Sequence, residues 1–395
     1  MSIPYHPISI DFKTDEEEVN NQIKIVCRSL LPGWSDVPDE SYKFSKISGG
    51  ISNILVKADP SGFNGLSPVA VKVFGDKTEL LIDREVEKTV LVQLNQHGFG
   101  AKVLAFFENG RIEAFIPCKT LVPDEMSDAA VVPYIARRLA AFHALPIDLS
   151  GTPATTSGTS SSDPVFRVIR DWLNMASQLS FDHDAKKASA FSKMDLESMH
   201  RDVDELETLS RRIQSPIVFA HCDLLSGNIL IVSSSSSYPV AENGSNFTQK
   251  PAAELLSTPA DYAMQFIDFE YSCFTTRGFD LGNHFNEYAG FDCDYTKYPN
   301  AEQQAIFLQN YLSVETGHMQ GDKGEKGEEE DKAKIKNLSQ EANFYALVSH
   351  VYWGVWALIQ ARYSAIDFDY LEYSELRWGE FRRRREEFMA PIKAL

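Results

Sequence analysis

The stretch that most limits the possible folds of this chain is Val218–Leu230, which reads VFAHCDLLSGNIL. Asp223 stands two residues after His221, and Asn228 stands five residues after Asp223. The flanking residues are apolar and rich in strand-forming types, which predicts a loop held between two packed strands. A carboxylate and an amide are therefore expected to face outward from one short loop, which His221 is predicted to orient.

A second acidic pair lies in Phe266–Glu270, which reads FIDFE. Interpreted as a strand, this segment places Asp268 and Glu270 on one face. Together with the preceding loop, it has the spacing of a kinase catalytic loop and its metal-binding Asp. Phosphoryl transfer to an alcohol needs a carboxylate at the hydroxyl and oxygen ligands for a cation on the phosphates. We therefore predict Asp223 as the base or hydroxyl-orienting group and Asn228 and Asp268 as Mg²⁺ ligands, with Glu270 supporting a second metal or the substrate.

The composition sets wider limits on the class of protein. The 395 residues, 43% of them hydrophobic, suffice for one large two-lobed domain or two ordinary ones. The formal net charge of −18 argues against nucleic acid as the main partner, because phosphate contacts need Lys and Arg. The five cysteines show no CxxC spacing, which favours free thiols in a reducing compartment. The polar N-terminus resembles neither a signal peptide nor a presequence, so a cytoplasmic location is expected.

One apolar stretch, Phe344–Ala361, has nearly the length of a membrane span. It contains Ser349, His350 and Gln360, and no basic cluster flanks it. We interpret it as a buried helix rather than a membrane span.

The chain is predicted to contain an N-terminal extension and two lobes. Residues 1–41 are interpreted as the extension. Residues 42–118 alternate between strands and turns, with one helix and an Asn109–Gly110 hairpin, and predict a small antiparallel sheet that binds ATP phosphates. Residues 119–395 show mostly helical spacing and predict a larger lobe with the catalytic loop. Three polar stretches of this lobe are interpreted as flexible surface insertions: 151–163, 233–258 and 317–336.

The predicted small sheet also carries candidates for nucleotide binding. Lys72 lies in a strand of alternating apolar and polar residues, and Glu85 lies in the following helix. In kinases, the Lys that reaches the α- and β-phosphates of ATP and its Glu ion-pair partner occupy such positions. Taken singly, each has an ordinary alternative as a solvated surface charge. A glycine turn upstream supplies candidates for covering the phosphates: Gly49, Gly50, Ser52 and Asn53.

Together these motifs resemble the choline/ethanolamine kinase family. The most specific is Arg277–Glu287, RGFDLGNHFNE, and Ile82–Glu85, His221–Asn228 and Ile267–Tyr271 support it. The resemblance implies an α+β, bilobal, protein-kinase-like fold with ATP between two lobes. It implies Mg²⁺-dependent transfer of the γ-phosphoryl group of ATP to the hydroxyl of a small amino alcohol, and it is compatible with a homodimer.

The resemblance also implies a pocket for the substrate amine. In choline kinases this pocket is lined by aromatic residues of the C-terminal helices and of the segment after the metal-binding Asp. A cation is attracted to the faces of such rings. Periodicity alone would make the tryptophans ordinary core, so their role here depends on the resemblance. The matching positions are Tyr271, Trp353, Trp356, Phe368, Tyr370 and Tyr373.

The segment after Glu287 bears on the identity of the acceptor. It reads YAGFD and is similar to that of ethanolamine kinases, whereas choline kinases carry a bulkier, more aromatic segment. Asp292 falls where a choline kinase would offer a Tyr to its ligand. A primary ammonium needs acceptors for three N–H donors, so Glu287 and Asp292 are predicted to favour ethanolamine. The expected product is phosphoethanolamine, at the start of the CDP-ethanolamine route to phosphatidylethanolamine.

Other functions remain open at this point. A choline kinase or a dual-specificity enzyme is the nearest alternative. Aminoglycoside phosphotransferases share the catalytic-loop spacing but match Arg277–Glu287 less well, and a protein kinase is disfavoured because Asp-Phe-Gly, Ala-Pro-Glu and GxGxxG are missing from the sequence. A kinase-like binding module without catalysis is the alternative from another class. The complete polar set argues against it: Lys72, Glu85, Asp223, Asn228 and Asp268.

Overall fold

The structure, a computed structural model, describes residues 3–47, 53–75, 77–152, 163–234, 249–316, 325–364 and 366–395. The chain divides into two units. The first comprises Met1–Arg84, Lys88–Pro117 and Ser364–Asp367, and the second Glu85–Glu87, Cys118–Tyr363 and Phe368–Leu395. The first unit holds the larger sheet, and the second holds most of the helices.

The first unit is built on a six-stranded sheet. Its elements in chain order are β1 (Tyr5–His6), α1 (Glu16–Leu30), β2 (Lys43–Ile47), β3 (Asn53–Asp59), β4 (Val69–Phe74), α2 (Arg84–Gln96), β5 (Val103–Phe107) and β6 (Gly110–Ala114). The strand order is β1-β5-β6-β4-β3-β2. All pairs are antiparallel except β1 with β5, which is parallel. The predicted small sheet and its hairpin are confirmed. Strand β1 and helix α1, which precede residue 42, were not predicted.

The additional helix, α1, lies in the segment that was interpreted as a polar extension. The side chain of Asp15 caps it by accepting the Glu18 N–H, and three glutamates follow in the first turn. Its buried residues recur with helical spacing and pack in the same core as strand residues Val56, Val71 and Ile112. They are Val19, Ile23, Val26, Cys27 and Leu30. Residues 16–30 therefore belong to the core of the first unit.

The second unit is mainly helical. Its first half contains β7 (Cys118–Thr120), α3 (Pro123–Met126), α4 (Val132–His143), α5 (Pro164–Ala176), α6 (Ala185–Phe191), α7 (Leu196–Ser210), β8 (Ile217–Ala220) and β9 (Ile229–Ser233). Its second half contains α8 (Ala252–Leu256), β10 (Tyr262–Phe266), β11 (Cys273–Thr276), α9 (Arg277–Asn286), α10 (Ala301–Thr316), α11 (Glu325–Tyr363) and α12 (Tyr370–Lys393). Antiparallel β10-β9-β7 and β11-β8 form two small sheets. The predicted α+β fold with a mainly helical C-terminal lobe is confirmed.

The apolar stretch within α11 is buried, as the sequence predicted. Val348, Val351, Val355 and Leu358 are fully inaccessible to solvent. Among the residues described, no helix combines the length and apolar composition that a bilayer span requires.

The structure differs from the sequence interpretation at the ends of the three polar stretches. Asp163 caps α5, residues 252–256 form α8, and α11 begins at Glu325. The short apolar cluster of α8 explains its order, because Ala252, Leu255 and Leu256 are buried. Residues 153–162, 235–248 and 317–324 lie outside the described part of the chain.

Two glycines allow α9 to pack directly against α11. A Cβ on Gly278 would lie 2.5 Å from Tyr345 Cδ2. A Cβ on Gly282 would collide with the Ala342 carbonyl oxygen and lie 2.5 Å from the Ala346 nitrogen. Because these last two atoms belong to the backbone of α11, only glycine permits the observed separation of the two helices.

The substitution Gly282→Ala is expected to destabilise the protein by about 1–3 kcal/mol or more, because the added methyl group forces two backbones apart. Gly379→Ala is the matched control, since a Cβ at that exposed helical position meets nothing within 4 Å. The control should be neutral or about 0.5–1 kcal/mol more stable, because alanine is the better helix former. Chemical denaturation of both variants measures the difference, and equal stabilities would contradict this account of the packing.

Candidate active site

The predicted loop connects β8 to β9 and holds Asp223 and Asn228 together. Asn228 ends a single 3₁₀ turn, Ser226–Asn228. Its Nδ2 donates to the carbonyl oxygen of Asp223 at 2.8 Å and to the carboxylate Oδ2 at 3.1 Å. The amide nitrogen is thus engaged by Asp223, and Oδ1 is the atom of this side chain that has lone pairs to offer.

A buried carboxylate from α9 fastens the start of this loop. Asp280 Oδ2 accepts the His221 N–H and Oδ1 accepts the Cys222 N–H, each at 2.7 Å. Asp280 Oδ2 also lies 2.8 Å from His143 Nε2. Burial by itself would raise the pKa of Asp280, but these hydrogen bonds and the nearby histidines hold it below its usual range. Asp280 lies in the Arg277–Glu287 motif, but no local pattern in the sequence indicates this role.

Two histidines hold the loop as neutral rings. Burial lowers the pKa of His221. Its Nδ1 accepts the Asp223 N–H at 3.3 Å, so Nε2 carries the proton and donates to the Ile267 carbonyl at 3.0 Å. Burial likewise lowers the pKa of His284 to about 4, and its Nδ1 lies 2.9 Å from the Leu224 carbonyl. These contacts give His221 the orienting role that was predicted for it.

The interpretation of Asp268 and Glu270 as strand neighbours is wrong. β10 ends at Phe266, opposite Ile229. Asp268 has a left-handed φ of 64°, which turns the chain out of the strand direction. The two carboxylates therefore do not share a strand face.

Four carboxylates nevertheless converge on the loop. The pKa of Asp223 is raised well above its usual range, first by burial and then by the charges of Asp268, Glu287 and Glu270. The structure thus brings together acidic residues that are spread over about sixty positions of sequence. Within the described residues, no group of three or more His, Cys, Asp or Glu side chains has the arrangement of a metal site.

The six predicted aromatic residues lie in one cluster. Ring centroids are 5.2 Å apart for Tyr271 and Trp353, 5.3 Å for Trp353 and Trp356, and 5.7 Å for Trp356 and Tyr370. Phe368 continues the series, at 4.9 Å from Tyr370 and 5.7 Å from Tyr373. Trp356 Nε1 also donates to the Tyr271 hydroxyl at 2.8 Å. A continuous aromatic surface follows, hereafter the aromatic cluster.

A further aromatic residue next to the aromatic cluster was not predicted from the sequence. Phe291 lies 6.0 Å from Phe368 and 6.4 Å from Tyr373, with its side chain 40% exposed. The available signal was an aromatic residue between Glu287 and Asp292. Asp292 itself is exposed.

Glu287 lies at the end of α9 in a buried ion pair that the sequence analysis also missed. Its Oε1 is 3.2 Å from Nη1 of Arg377, and both side chains are buried. The same Nη1 donates to the Tyr373 hydroxyl at 3.2 Å. Burial raises the pKa of Glu287, and Arg377 opposes that shift. The available signal was an arginine one helical turn after Tyr373.

The nucleotide-binding candidates in the first part of the chain are placed as follows. Lys72 lies in β4, buried, between Leu55 and Arg111 of the neighbouring strands. Glu85 is an exposed residue in the first turn of α2, and Asn53 begins β3. Gly49, Gly50 and Ser52 lie outside the described residues. The ion pair between Lys72 and Glu85 stays a prediction.

Arg84 is a further polar residue near this sheet. Its guanidinium lies 3.9 Å from the ring centroid of Phe74 and donates to Thr78 Oγ1 at 2.6 Å. It also donates to Asn53 Oδ1 at 3.5 Å, at the start of β3. The Arg84 side chain is thereby held next to the first residue of β3.

Comparison with known proteins gives a consistent result. The chain is 34% identical over 385 residues to a probable ethanolamine kinase of Arabidopsis thaliana, covering 97% of this chain and 90% of that protein. It is 31% identical over 381 residues to probable ethanolamine kinase A of Dictyostelium discoideum, covering 96% and 95%. An ethanolamine kinase structure from Plasmodium vivax superposes with a TM-score of 0.76 at 26% identity, covering 96% of this chain and 93% of that one.

The model of the choline/ethanolamine kinase family matches residues 44–382. That range contains the loop of Asp223, the carboxylates around it and the whole aromatic cluster. With relatives of this identity along nearly its full length, the chain belongs to the choline/ethanolamine kinase family.

Proposed function

We propose that this protein is an ethanolamine kinase, which transfers the γ-phosphoryl group of ATP to the hydroxyl of ethanolamine. One observation carries the proposal: a loop carboxylate, Asp223, and the aromatic cluster with the buried carboxylate of Glu287 beside it occur together in one unit. The charge of Glu287 acts on Asp223, and Glu287 is linked through Arg377 to Tyr373 of the aromatic cluster. A substrate with an ammonium at one end and a hydroxyl at the other suits this arrangement.

Asp223 is the group proposed to receive the substrate hydroxyl. Burial and three neighbouring carboxylates raise its pKa, which makes the carboxylate a stronger proton acceptor than an ordinary Asp. Its backbone is fixed by Asp280 and His221, and its side chain by Asn228. Asp223 can thus orient the substrate hydroxyl and accept its proton with little rearrangement of the loop.

Nucleotide and metal are assigned to residues whose chemistry fits them. Asn228 Oδ1 and the Asp268 carboxylate are hard oxygen donors, and Mg²⁺ typically uses one or two such groups with substrate phosphates. When bound, Mg²⁺ would neutralise charge on the transferring phosphoryl group. Glu270, whose charge acts on Asp223, is proposed to support a second metal or the substrate. Within 42–118, the residues proposed to bind the ATP phosphates are Lys72, Gly49, Gly50, Ser52 and Asn53, with Glu85 as the partner of Lys72.

The amine is proposed to bind at the aromatic cluster. Each well-placed ring face contributes about 0.5–2 kcal/mol to binding a cation. Trp353, Trp356 and Tyr373 are buried and held by packing, so their faces are ordered before the substrate arrives. Glu287 supplies an acceptor for ammonium N–H groups, which ethanolamine can use and choline cannot.

The cellular location and the oligomeric state of the enzyme are also proposed. All five cysteines are free thiols, the state expected in a reducing compartment, and we propose the cytoplasm. A homodimer is proposed from the family resemblance, and light scattering of the purified protein would test it.

Replacing Asp223 by Asn should lower kcat for ethanolamine by about 10²–10⁴-fold, because the hydroxyl loses its proton acceptor. ATP binding, measured by calorimetry, should change little. Asp204→Asn, an exposed carboxylate on α7, is the control and should keep full activity. A steady-state assay with ATP and Mg²⁺ decides, and retained turnover in Asp223→Asn would overturn the assignment.

The same variant should be more stable than the wild type when metal and nucleotide are removed. A raised folded-state pKa means that ionised Asp223 opposes folding at neutral pH, and this cost disappears below about pH 3.9, the pKa of an unfolded Asp. The gain in Tm for Asp223→Asn is therefore expected at neutral pH and should shrink as the pH falls toward 4. Thermal melts in EDTA across this range measure it, and a gain that grows with acidity would contradict the sign.

Ethanolamine should have the higher kcat/KM when it is compared with choline. Choline remains the second candidate substrate, because an aromatic cluster of this size also suits a quaternary ammonium. Asp292→Tyr should shift the ratio toward choline. A wild-type ratio favouring choline would make the protein a choline kinase, and an unchanged ratio in the variant would remove Asp292 as a selector.

A further inference from the structure

Arg377 of α12 lies at an unexpected place beside a site proposed to bind a cation. Arg377 is 1% exposed, and its Nη1 bridges the Glu287 carboxylate and the Tyr373 hydroxyl, both at 3.2 Å. A buried positive charge beside the pocket weakens the general attraction for any cation. Arg377 instead positions Glu287 and Tyr373, because a planar guanidinium holds two acceptors at once in a fixed geometry.

The other guanidinium nitrogen connects toward the catalytic loop. Arg377 Nη2 donates to Ser349 Oγ at 2.8 Å and to the Ser349 carbonyl at 3.2 Å. Ser349 Oγ donates in turn to Asn283 Oδ1 at 2.8 Å, and Asn283 Nδ2 donates to the Cys222 carbonyl at 3.0 Å. Cys222 directly precedes Asp223, so three residues link the pocket to the catalytic loop.

Trp353, one of the two tryptophans of the aromatic cluster, belongs to the same hydrogen-bond network. Trp353 Nε1 donates to Asn283 Oδ1 at 2.7 Å, so Asn283 receives one hydrogen bond from Ser349 and one from Trp353. Asn283 and Ser349 are completely buried. Hydrogen bonds in such an environment are costly to leave unmade, so the network has one stable arrangement.

We propose that Arg377 is a positioning residue with two branches: one orients Glu287 and Tyr373 for the substrate ammonium, and the other, through Ser349 and Asn283, sets the loop that carries Asp223. This inference rests on the proposed function. It assigns amine affinity to the first branch and turnover to the second.

The two branches can be separated by substitution. Arg377→Met removes both branches, so the KM for ethanolamine should rise at least about tenfold and kcat should also fall, while the KM for ATP stays within about twofold. Ser349→Ala removes only the hydroxyl and leaves the contact between Arg377 and Glu287. This variant loses the hydrogen bonds of Ser349 Oγ with Arg377, Asn283 and Asn286. Only the one with Asn283 leads to the loop of Asp223, so kcat should fall about fivefold while the ethanolamine KM stays unchanged.

Two further variants complete the test. Arg377→Lys keeps the charge but cannot serve both branches, so it should show a smaller rise in KM together with a lowered kcat. It also replaces the Met variant if that protein does not fold. Arg383→Met, on the same helix with an exposed side chain paired to Glu380, is the control and should match the wild type. Counting active enzyme by calorimetric ATP binding separates a true fall in kcat from loss of folded protein.

The outcomes distinguish this inference from the proposed function. A wild-type enzyme without ethanolamine turnover overturns the proposed function and the inference with it. A normal wild type with unchanged ethanolamine KM in the Arg377 variants overturns only the role of Arg377 in amine binding. If Ser349→Ala keeps the wild-type kcat, the second branch is overturned while the first can stand.

Discussion

The loop that carries Asp223 depends on one buried carboxylate. Asp280 accepts the N–H groups of His221 and Cys222, which have no strand partner at this point of the chain, and it is itself held by His143. Cys222 adopts a left-handed φ of 66°, a conformation that costs a non-glycine residue roughly 1–3 kcal/mol unless its surroundings impose it. The hydrogen bonds to Asp280 impose it. The next residue is Asp223, so the direction of its carboxylate follows from this restraint.

The short helix α9 transmits that restraint to the rest of the site. At 100° per residue, Asp280, Asn283, His284 and Glu287 share one face, while Gly278 and Gly282 lie on the opposite face. The polar face bonds the backbone of the loop at Cys222 and Leu224 and ends at Glu287, which pairs with Arg377. The glycine face lets α11 approach closely with its two tryptophans. One helix thereby contacts both the loop and the helix that carries the two tryptophans.

Much of the fold could be predicted because its signals are local. The apolar runs around Asp223, the Asn109–Gly110 hairpin and the helical spacing of α11 need only neighbouring residues to be recognised. Helix α1 carried an equally local signal, an Asp cap followed by apolar residues at helical spacing, but the polar character of residues 1–41 concealed it. The strand interpretation of Asp268 failed because a left-handed residue leaves no compositional trace when it is not glycine.

The order of residues specifies which chemical groups this protein has: a loop carboxylate with its amide, an acidic segment that follows, and aromatic residues at helical spacing. Tertiary packing sets how these groups act on one another. It gave Asp280 its role and paired Arg377 with Glu287 across 90 residues of chain. It also raised the pKa of Asp223 through burial and carboxylates that are distant in sequence. The physical reason is that burial and long-range hydrogen bonds depend on which surfaces pack together, and no local pattern records the partner of a buried charge.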